Sequence, residues 1–353
     1  MTKFKIDTSK SVLVTGATGY VAGWIVHDLL EAGVNVNATV RDPSNVAKVE
    51  HLTKMSDELP GTLTLFKADL MQDGSFDEPM QGCAIVIHTA SPYNLSVEDP
   101  QTDLIDPALV GTRNVLKSVN RIDSVERVVL TSSCAAIYGD SADCADAPEA
   151  ILTEKVWNTT SSLDHNPYSY AKTLAEQAAW DLAEAQDRWR LVVMNPGGIY
   201  GPVVGGPIST SESFNIIRQI GGGDFKTGVP HFESPKVDVR DVAEAHLRGA
   251  FLADAMGRHM LFEKSGSLMD MADGIRAKYP DAPLPNRKIP KWLIWLVGPM
   301  VNKAMTRRFV ARSVGHEWRG DNSKSQRKLG IVYRNSAQGI VEMHEQIVAA
   351  SKD

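Results

Sequence analysis

The chain has 353 residues, 37 Lys and Arg against 43 Asp and Glu, a net charge of −6 and 43% hydrophobic residues. That length buries a large core with room for one main domain and a smaller lobe, and the negative balance argues against non-specific attraction to nucleic acid or anionic lipid. Cys83, Cys134 and Cys144 show no metal-ligand spacing and their odd number gives no disulfide framework; the start, Met1 to Asp7, lacks the apolar run of a signal peptide. A reducing, cytoplasmic setting is expected. The nine histidines form no His-x-x-x-His or comparable cluster, so no metal is expected.

In chain order, residues 11–15 read as a short buried strand that runs into Gly16-Ala17-Thr18-Gly19-Tyr20-Val21-Ala22-Gly23 and an apolar helix over 24–30. A strand, a glycine turn and a helix N-terminus together present unpaired backbone N–H groups and a positive dipole end to an anion. Further strands are predicted at 35–40, 63–67, 84–88, 127–131 and 190–195, with helices at 104–119 and 168–185. This alternation predicts an α/β fold, a doubly wound parallel sheet of Rossmann type over residues 1–200. Beyond 200, Gly201-Pro202, Gly205-Gly206-Pro207 and Gly221-Gly222-Gly223 punctuate a loop-rich region, expected to be a C-terminal substrate lobe (201–353) interleaved with the last elements of the sheet domain. The apolar run 291–301 is too short to cross a bilayer, which takes about 20 residues. A wall of the substrate lobe or a buried helix is the leading expectation for it. Contact with a membrane surface, suggested by Lys303, Arg307 and Arg308, is the lesser one.

Tyr168 and Lys172 stand four apart on the predicted helix, hence on one face. An ammonium there can stabilise a tyrosinate and draw the phenol pKa down from about 10, which makes a general acid/base for carbonyl chemistry. Upstream lies the hydroxyl cluster Thr131-Ser132-Ser133. Cys134 beside it has no partner histidine and reads as a buried small residue.

Taken together, Thr15-Gly16-Ala17-Thr18-Gly19-Tyr20, Val40-Arg41-Asp42-Pro43, Ala68-Asp69-Leu70, His88-Thr89-Ala90-Ser91-Pro92, Gly111 to Leu116, Tyr168 to Glu176, Asn195-Pro196-Gly197 and Val237 to Ala243 resemble the extended short-chain dehydrogenase/reductase superfamily. The resemblance is closest to its dihydroflavonol-reductase-like and cinnamoyl-CoA-reductase-like branch. It implies Ser133, Tyr168 and Lys172 as the catalytic group, with Ser132 the alternative hydroxyl. It implies a dinucleotide held by Gly16, Thr18, Gly19, Tyr20, Val21, Asp69, Leu70, Thr89, Ala90, Ser91, Thr131, Tyr168, Lys172, Pro196, Gly198 and Ile199. Arg41, helped by Lys48, would hold the 2′-phosphate of NADP(H); in the competing reading Asp42 takes the ribose hydroxyls and the cofactor is NAD. Asn114 matches a residue that supports the lysine through water, or else satisfies backbone within its helix.

The activity implied is NADPH-dependent reduction of an aldehyde or ketone, reversible as an alcohol dehydrogenase, by a monomer or homodimer without membrane contact. Bulky hydrophobic substrates are expected, from residues such as Phe214, Phe225, Trp292 and Trp295. A nucleotide-sugar epimerase or dehydratase and a 3β-hydroxysteroid-type dehydrogenase are the enzymatic alternatives. The Asp-Glu pair of sugar dehydratases is replaced here by Cys134-Ala135. A non-catalytic NADP-sensing regulator is the alternative outside enzymology.

Overall fold

A computed structural model describes residues 4–91, 98–302 and 304–351. Pro92 of the fourth strand's motif and Lys303 lie outside the described residues.

The first half alternates strand and helix: β1 (Ser11–Thr15), α1 (Tyr20–Glu31), β2 (Asn35–Val40), α2 (Val46–Glu58), β3 (Thr62–Lys67), α3 (Asp77–Met80), β4 (Cys83–His88), α4 (Asp106–Arg121), β5 (Arg127–Thr131), α5 (Pro167–Glu184) and β6 (Arg190–Pro196). There follow β7 (Gly198–Tyr200), α6 (Glu212–Gly222), β8 (Val229–Pro230), β9 (Glu233–Asp238), α7 (Val239–Phe251), β10 (Gly257–Leu261), β11 (Lys264–Ser267), α8 (Leu268–Lys278), β12 (Lys288–Ile289), α9 (Lys291–Val301), α10 (Arg307–Ser313) and α11 (Ser336–Ala350).

Seven parallel strands in the order β10-β6-β5-β4-β1-β2-β3 make the main sheet. The period of two in each strand sends alternate residues to opposite faces. Val12 and Val14, Val129, Val192 and Met194 enter a core shared with α1, α2 and α7, whereas Leu13, Val128, Leu130, Leu191 and Val193 enter a second core under α3, α4 and α5. Strand order reverses between β1 and β4, so a crevice forms at the carboxyl ends there. Two elements beyond residue 200, α7 and β10, belong to this sheet and its helical layer.

Of the remaining C-terminal elements, α6, α8 and α11 surround a smaller core of Phe214, Ile217, Ile220, Met271, Ile275, Ile340 and Met343. A three-stranded sheet, β11-β9-β7, joins that core to the end of β6. The apolar run 291–301 departs from its leading expectation. It forms α9, which buries only Ile294 and Gly298 and leaves Trp292, Trp295 and Met300 in solvent. The reason is that α9 packs on one side only, against a small cluster of Met305, Phe309, Val310 and Val314.

Candidate active site

A cleft of about 1240 Å³ opens at the carboxyl edge of the sheet, between it and the smaller lobe. Its floor is the turn after β1. Gly16 has φ +68°, and a Cβ there would stand 3.0 Å from the Cβ and 3.1 Å from the Cα of Ala90. Only glycine combines that backbone with so close an approach. The threonine just before it ties the two switch-point strands together: Thr15 Oγ1 lies 2.8 Å from His88 Nδ1 and accepts from the Ala90 N–H at 3.1 Å, and Thr89 Oγ1 donates to Thr15 O. Burial, with the nearby Lys172 ammonium, pushes the His88 imidazole down to about 3, so it is neutral.

The N-terminus of α1 meets this floor with Gly19 as its N-cap, no side chain capping it and no acidic residue in its first turn. Bare helix N–H groups beside a backbone that lies close to the cleft make a site for a phosphate. At the end of β2, Arg41 is exposed and lines the cleft. Asp42 instead caps its own turn, its carboxylate accepting from the Ser44 N–H at 3.0 Å and Ser44 Oγ at 2.6 Å. Those hydrogen bonds hold Asp42 below the usual carboxylate range. Thr18, Gly19, Tyr20, Val21, Asp69, Leu70, Thr89, Ala90, Ser91, Thr131, Pro196, Gly198 and Ile199 all line the same cleft. Lys48 does not: it is exposed on α2, near enough to Asp42 to act on its charge. The residues present therefore fit a dinucleotide, and Arg41 is a cation on the rim of that cleft at the end of β2.

Farther along the cleft stand Ser133, Tyr168 and Lys172. The N-terminus of α5 is set by Asn166 in left-handed conformation (φ +52°) and Pro167 in the first turn, so Tyr168 and Lys172 leave the helix one turn apart on its cleft side. The Ser133 hydroxyl is hydrogen-bonded to Tyr168 and accepts from the Ala135 N–H at 3.1 Å. Lys172 Nζ donates to Ser91 Oγ at 3.1 Å and lies 5.9 Å from the Tyr168 ring centroid. The anticipated lowering of the phenol pKa is not what this geometry gives. Burial pushes Tyr168 up to about 12, opposed by the Ser133 hydrogen bond, and pushes Lys172 down to about 8, opposed by Glu176. Desolvation at the cleft wall is the largest influence on both groups.

Ser132 faces another way. Its hydroxyl donates to Glu176 Oε2 at 2.5 Å, inside a buried network in which Arg258 Nε donates to Glu176 Oε1 at 2.5 Å and Asn195 Nδ2 donates to Glu176 Oε2 at 2.7 Å and Ser133 O at 3.1 Å. Asn114 donates from Nδ2 to Leu70 O at 2.8 Å, satisfying backbone in the loop after β3 rather than within its own helix. Cys134 is buried, and burial raises its thiol pKa strongly.

None of the four aromatic residues expected to shape the pocket lines the cleft. Phe214 is buried in the core of the smaller lobe, Phe225 packs against that core, and Trp292 and Trp295 are exposed on α9. The lobe side is instead lined by Tyr138, Tyr200, Ile216, Phe232, Pro235 and Phe309, with Ser141, Asn166, Ser211, Glu212, Ser213, Ser234 and Ser313 among its polar groups. Phe232 and Phe309 meet with ring centroids 5.7 Å apart. Phe309 comes from α10, anchored when Arg312 Nε and Ser313 Oγ donate to buried Asp140 at 2.9 and 3.0 Å. Of these, only Asn166 carried a local signal, as the residue before Pro167 at a helix start.

Comparison with known proteins agrees with this fold. The model of the NAD dependent epimerase/dehydratase family matches residues 12–257. A cinnamoyl-CoA reductase of Medicago truncatula is 40% identical over 280 residues, 78% of this chain and 83% of the relative. A (2S)-flavan-3-ol-forming anthocyanidin reductase of Vitis vinifera is 35% identical over 286 residues, 78% of this chain and 83% of the relative. Among solved structures, Gre2 from Candida albicans in complex with NADPH superposes with a TM-score of 0.78 at 31% identity, over 97% of this chain and 99% of that one. The chain belongs to the NAD dependent epimerase/dehydratase family, within the extended short-chain dehydrogenase/reductases, in the branch of dihydroflavonol-reductase-like and cinnamoyl-CoA-reductase-like enzymes.

Proposed function

We propose that the protein is an NADPH-dependent reductase that transfers hydride to an aldehyde or ketone, preferring bulky hydrophobic carbonyl compounds, and that also works in reverse as an alcohol dehydrogenase. The observation that carries this reading is the meeting of Ser133, Tyr168 and Lys172 in the cleft that also holds the Gly16–Gly19 turn, the bare N-terminus of α1 and Arg41. NADP(H) is favoured over NAD because Arg41 is available on the rim while Asp42 is engaged by Ser44. The NADPH complex of Gre2, and the reductase relatives, support the same assignment.

When bound, the dihydronicotinamide supplies the hydride. Ser133 donates a hydrogen bond to the carbonyl oxygen, and Tyr168 passes its phenolic proton to that oxygen as negative charge grows there. A phenol pushed up to about 12 keeps its proton at neutral pH, which suits the reductive direction. Lys172 stabilises the tyrosinate left behind and holds ribose hydroxyls. The aromatic and aliphatic residues of the lobe side, Tyr138, Tyr200, Ile216, Phe232, Pro235 and Phe309, suit the body of a hydrophobic small molecule, with the small hydroxyls between them as its polar anchors. Arg218, Arg240 and Arg248, which a sugar diphosphate would call on, are engaged elsewhere: Arg218 with Asn215 and the Ser209 carbonyl, Arg240 with Asp238 and Glu342, Arg248 with Glu244. Division of the chain into a dinucleotide domain, 1–200, and a substrate lobe, 201–353, interleaved with the last elements of the sheet domain, belongs to the same proposal.

The test is a screen of aromatic, aliphatic, steroidal and CoA-linked carbonyl compounds with NADPH and with NADH, following reduced-nicotinamide absorbance. Aromatic or other bulky compounds should give higher kcat/KM than small hydrophilic ones, and UDP-sugars should neither stabilise the protein thermally nor be converted. Epimerisation of a UDP-sugar without added cofactor would overturn the reading.

A further inference from the structure

Among the described residues, eleven large hydrophobic side chains are exposed, and six of them stand on α9: Trp292, Trp295, Leu296, Val297, Met300 and Val301. Trp292, Trp295, Leu296 and Met300 follow the helical repeat and form one outward face. A cluster of this kind is well beyond the scattered apolar residues of an ordinary surface.

The charge of the segment that carries this face is as one-sided as its hydrophobicity. From Ala282 to His316 the sequence has seven basic residues and no Asp or Glu, in a chain whose net charge is −6. Arg312 is neutralised by Asp140 and Asp143, and Lys303 lies outside the described residues. Arg287, Lys288, Lys291, Arg307 and Arg308 remain exposed. The Arg307 guanidinium stacks 4.7 Å from the centroid of Trp295, so cation and indole share one surface. Lys288 lies close enough to Asp270 to act on its charge, which leaves Lys291, Arg307 and Arg308 as the cations beside α9, a basic and apolar segment in a chain of net negative charge.

We infer that α9 and the basic residues flanking it dock the protein on an anionic lipid surface, with the helix lying in the plane of the interface. At 11 residues α9 is about 16 Å long, far short of a bilayer core of about 30 Å, so it lies on the membrane rather than crossing it. Exposed tryptophans on an apolar helix face, with Lys and Arg beside them, are the composition of an interfacial helix. A second copy of this chain fits less well, because a two-fold interface would place the basic face against itself. The chain expected from its net charge to avoid lipid thus carries a local surface suited to it.

The experiment is co-sedimentation of the full-length protein with vesicles of phosphatidylcholine alone or of equimolar phosphatidylcholine and phosphatidylserine. Binding to the anionic vesicles should be at least about tenfold stronger and should weaken as salt rises from about 0.1 to about 0.5 M. Trp292→Ser/Leu296→Ser/Met300→Ser should lose binding to both vesicles, and Arg307→Glu/Arg308→Glu should fall to the neutral-vesicle level, with thermal midpoints unchanged. As a readout on the unaltered fold, brominated phosphatidylcholine in the anionic vesicles should quench wild-type tryptophan fluorescence, and Trp292→Phe/Trp295→Phe should lose that quenching. Absence of wild-type binding to anionic vesicles, wild-type-like binding by the triple serine variant, or a solution dimer that this variant dissociates would overturn the inference.

Discussion

At the scale of single residues, the cleft sets two side chains apart by what each can lose. Tyr168 offers a proton and a ring; Tyr168→Phe keeps the ring that shapes the wall and removes only the hydroxyl. Its kcat should fall about 10²–10⁴-fold while NADPH affinity, read by fluorescence titration, stays close to wild type. A variant keeping more than half of the wild-type kcat would remove Tyr168 from the mechanism. Arg41 offers charge alone. Arg41→Ser should weaken NADPH about 10- to 150-fold and leave NADH nearly unchanged, as expected for one lost charge-assisted phosphate contact. Equal loss for both cofactors in parallel titrations would return the ribose to Asp42. Both residues were legible in the sequence because each sits at a fixed offset from a local signal, a helix face in one case and a strand end in the other. Between Ser132 and Ser133 no such signal decides. The family resemblance put Ser133 first, and the structure adds two contacts, Ser132 with the Glu176 carboxylate of α5 and Ser133 with Tyr168.

At the scale of elements, Glu176 and Arg258 connect α5, β5 and the edge strand β10. Arg258 donates to Glu176, to the carbonyls of Glu154 and Val156 and to that of Ala136, and its guanidinium lies 3.9 Å from the Trp157 ring centroid. Arg258→Met leaves Glu176 buried without its counter-charge, and unfolding in urea should show a loss of about 3–5 kcal/mol. The double variant Arg258→Met/Glu176→Gln should lose less than the sum of the two single variants, because it removes the orphaned charge. Additive losses would show that the pair does not couple these elements. Period-two alternation and turn residues made β1 to β6 readable in advance; β10, which closes this edge of the sheet beyond residue 200, was hidden because its Gly257–Leu261 segment becomes a strand only by pairing with β6.

At the scale of the whole molecule, stability carries the mark of a buried cation. Lys236 on β9 is 3% exposed, its Nζ has no hydrogen-bond partner among the described residues, and burial pushes it from 10.5 to about 8. Below about pH 8 the folded and unfolded chains both hold its proton and the fold bears the full desolvation penalty. Between about pH 8 and 10.5 the unfolded chain keeps the proton while the folded chain has lost it, so this group's contribution to stability rises with pH. Lys236→Met should therefore be more stable than wild type at pH 7, by no more than about 3 kcal/mol, and that advantage should shrink steadily as pH rises toward 10. Denaturant midpoints of the two proteins across that range give the answer, and a constant difference would show that Lys236 is solvated in solution.

What the sequence determined by itself was whatever depends on near neighbours along the chain: the glycine turn before α1, the alternating strands of the sheet, the Tyr168–Lys172 spacing and the choice offered by Arg41 beside Asp42. Tertiary structure decided the rest. Phe214 and Phe225 went to a core of the smaller lobe and Phe232 and Phe309 to the cleft, although all four are aromatic residues in loop-rich or short helical surroundings. The difference lies in distant partners, such as the buried Asp140 that holds α10 through Arg312 and Ser313. An apolar run such as 291–301 is equally compatible with a buried wall and an open face, since hydrophobicity along the chain says nothing of what packs against it. Here α9 found a partner on one side only, and its other face stayed in solvent.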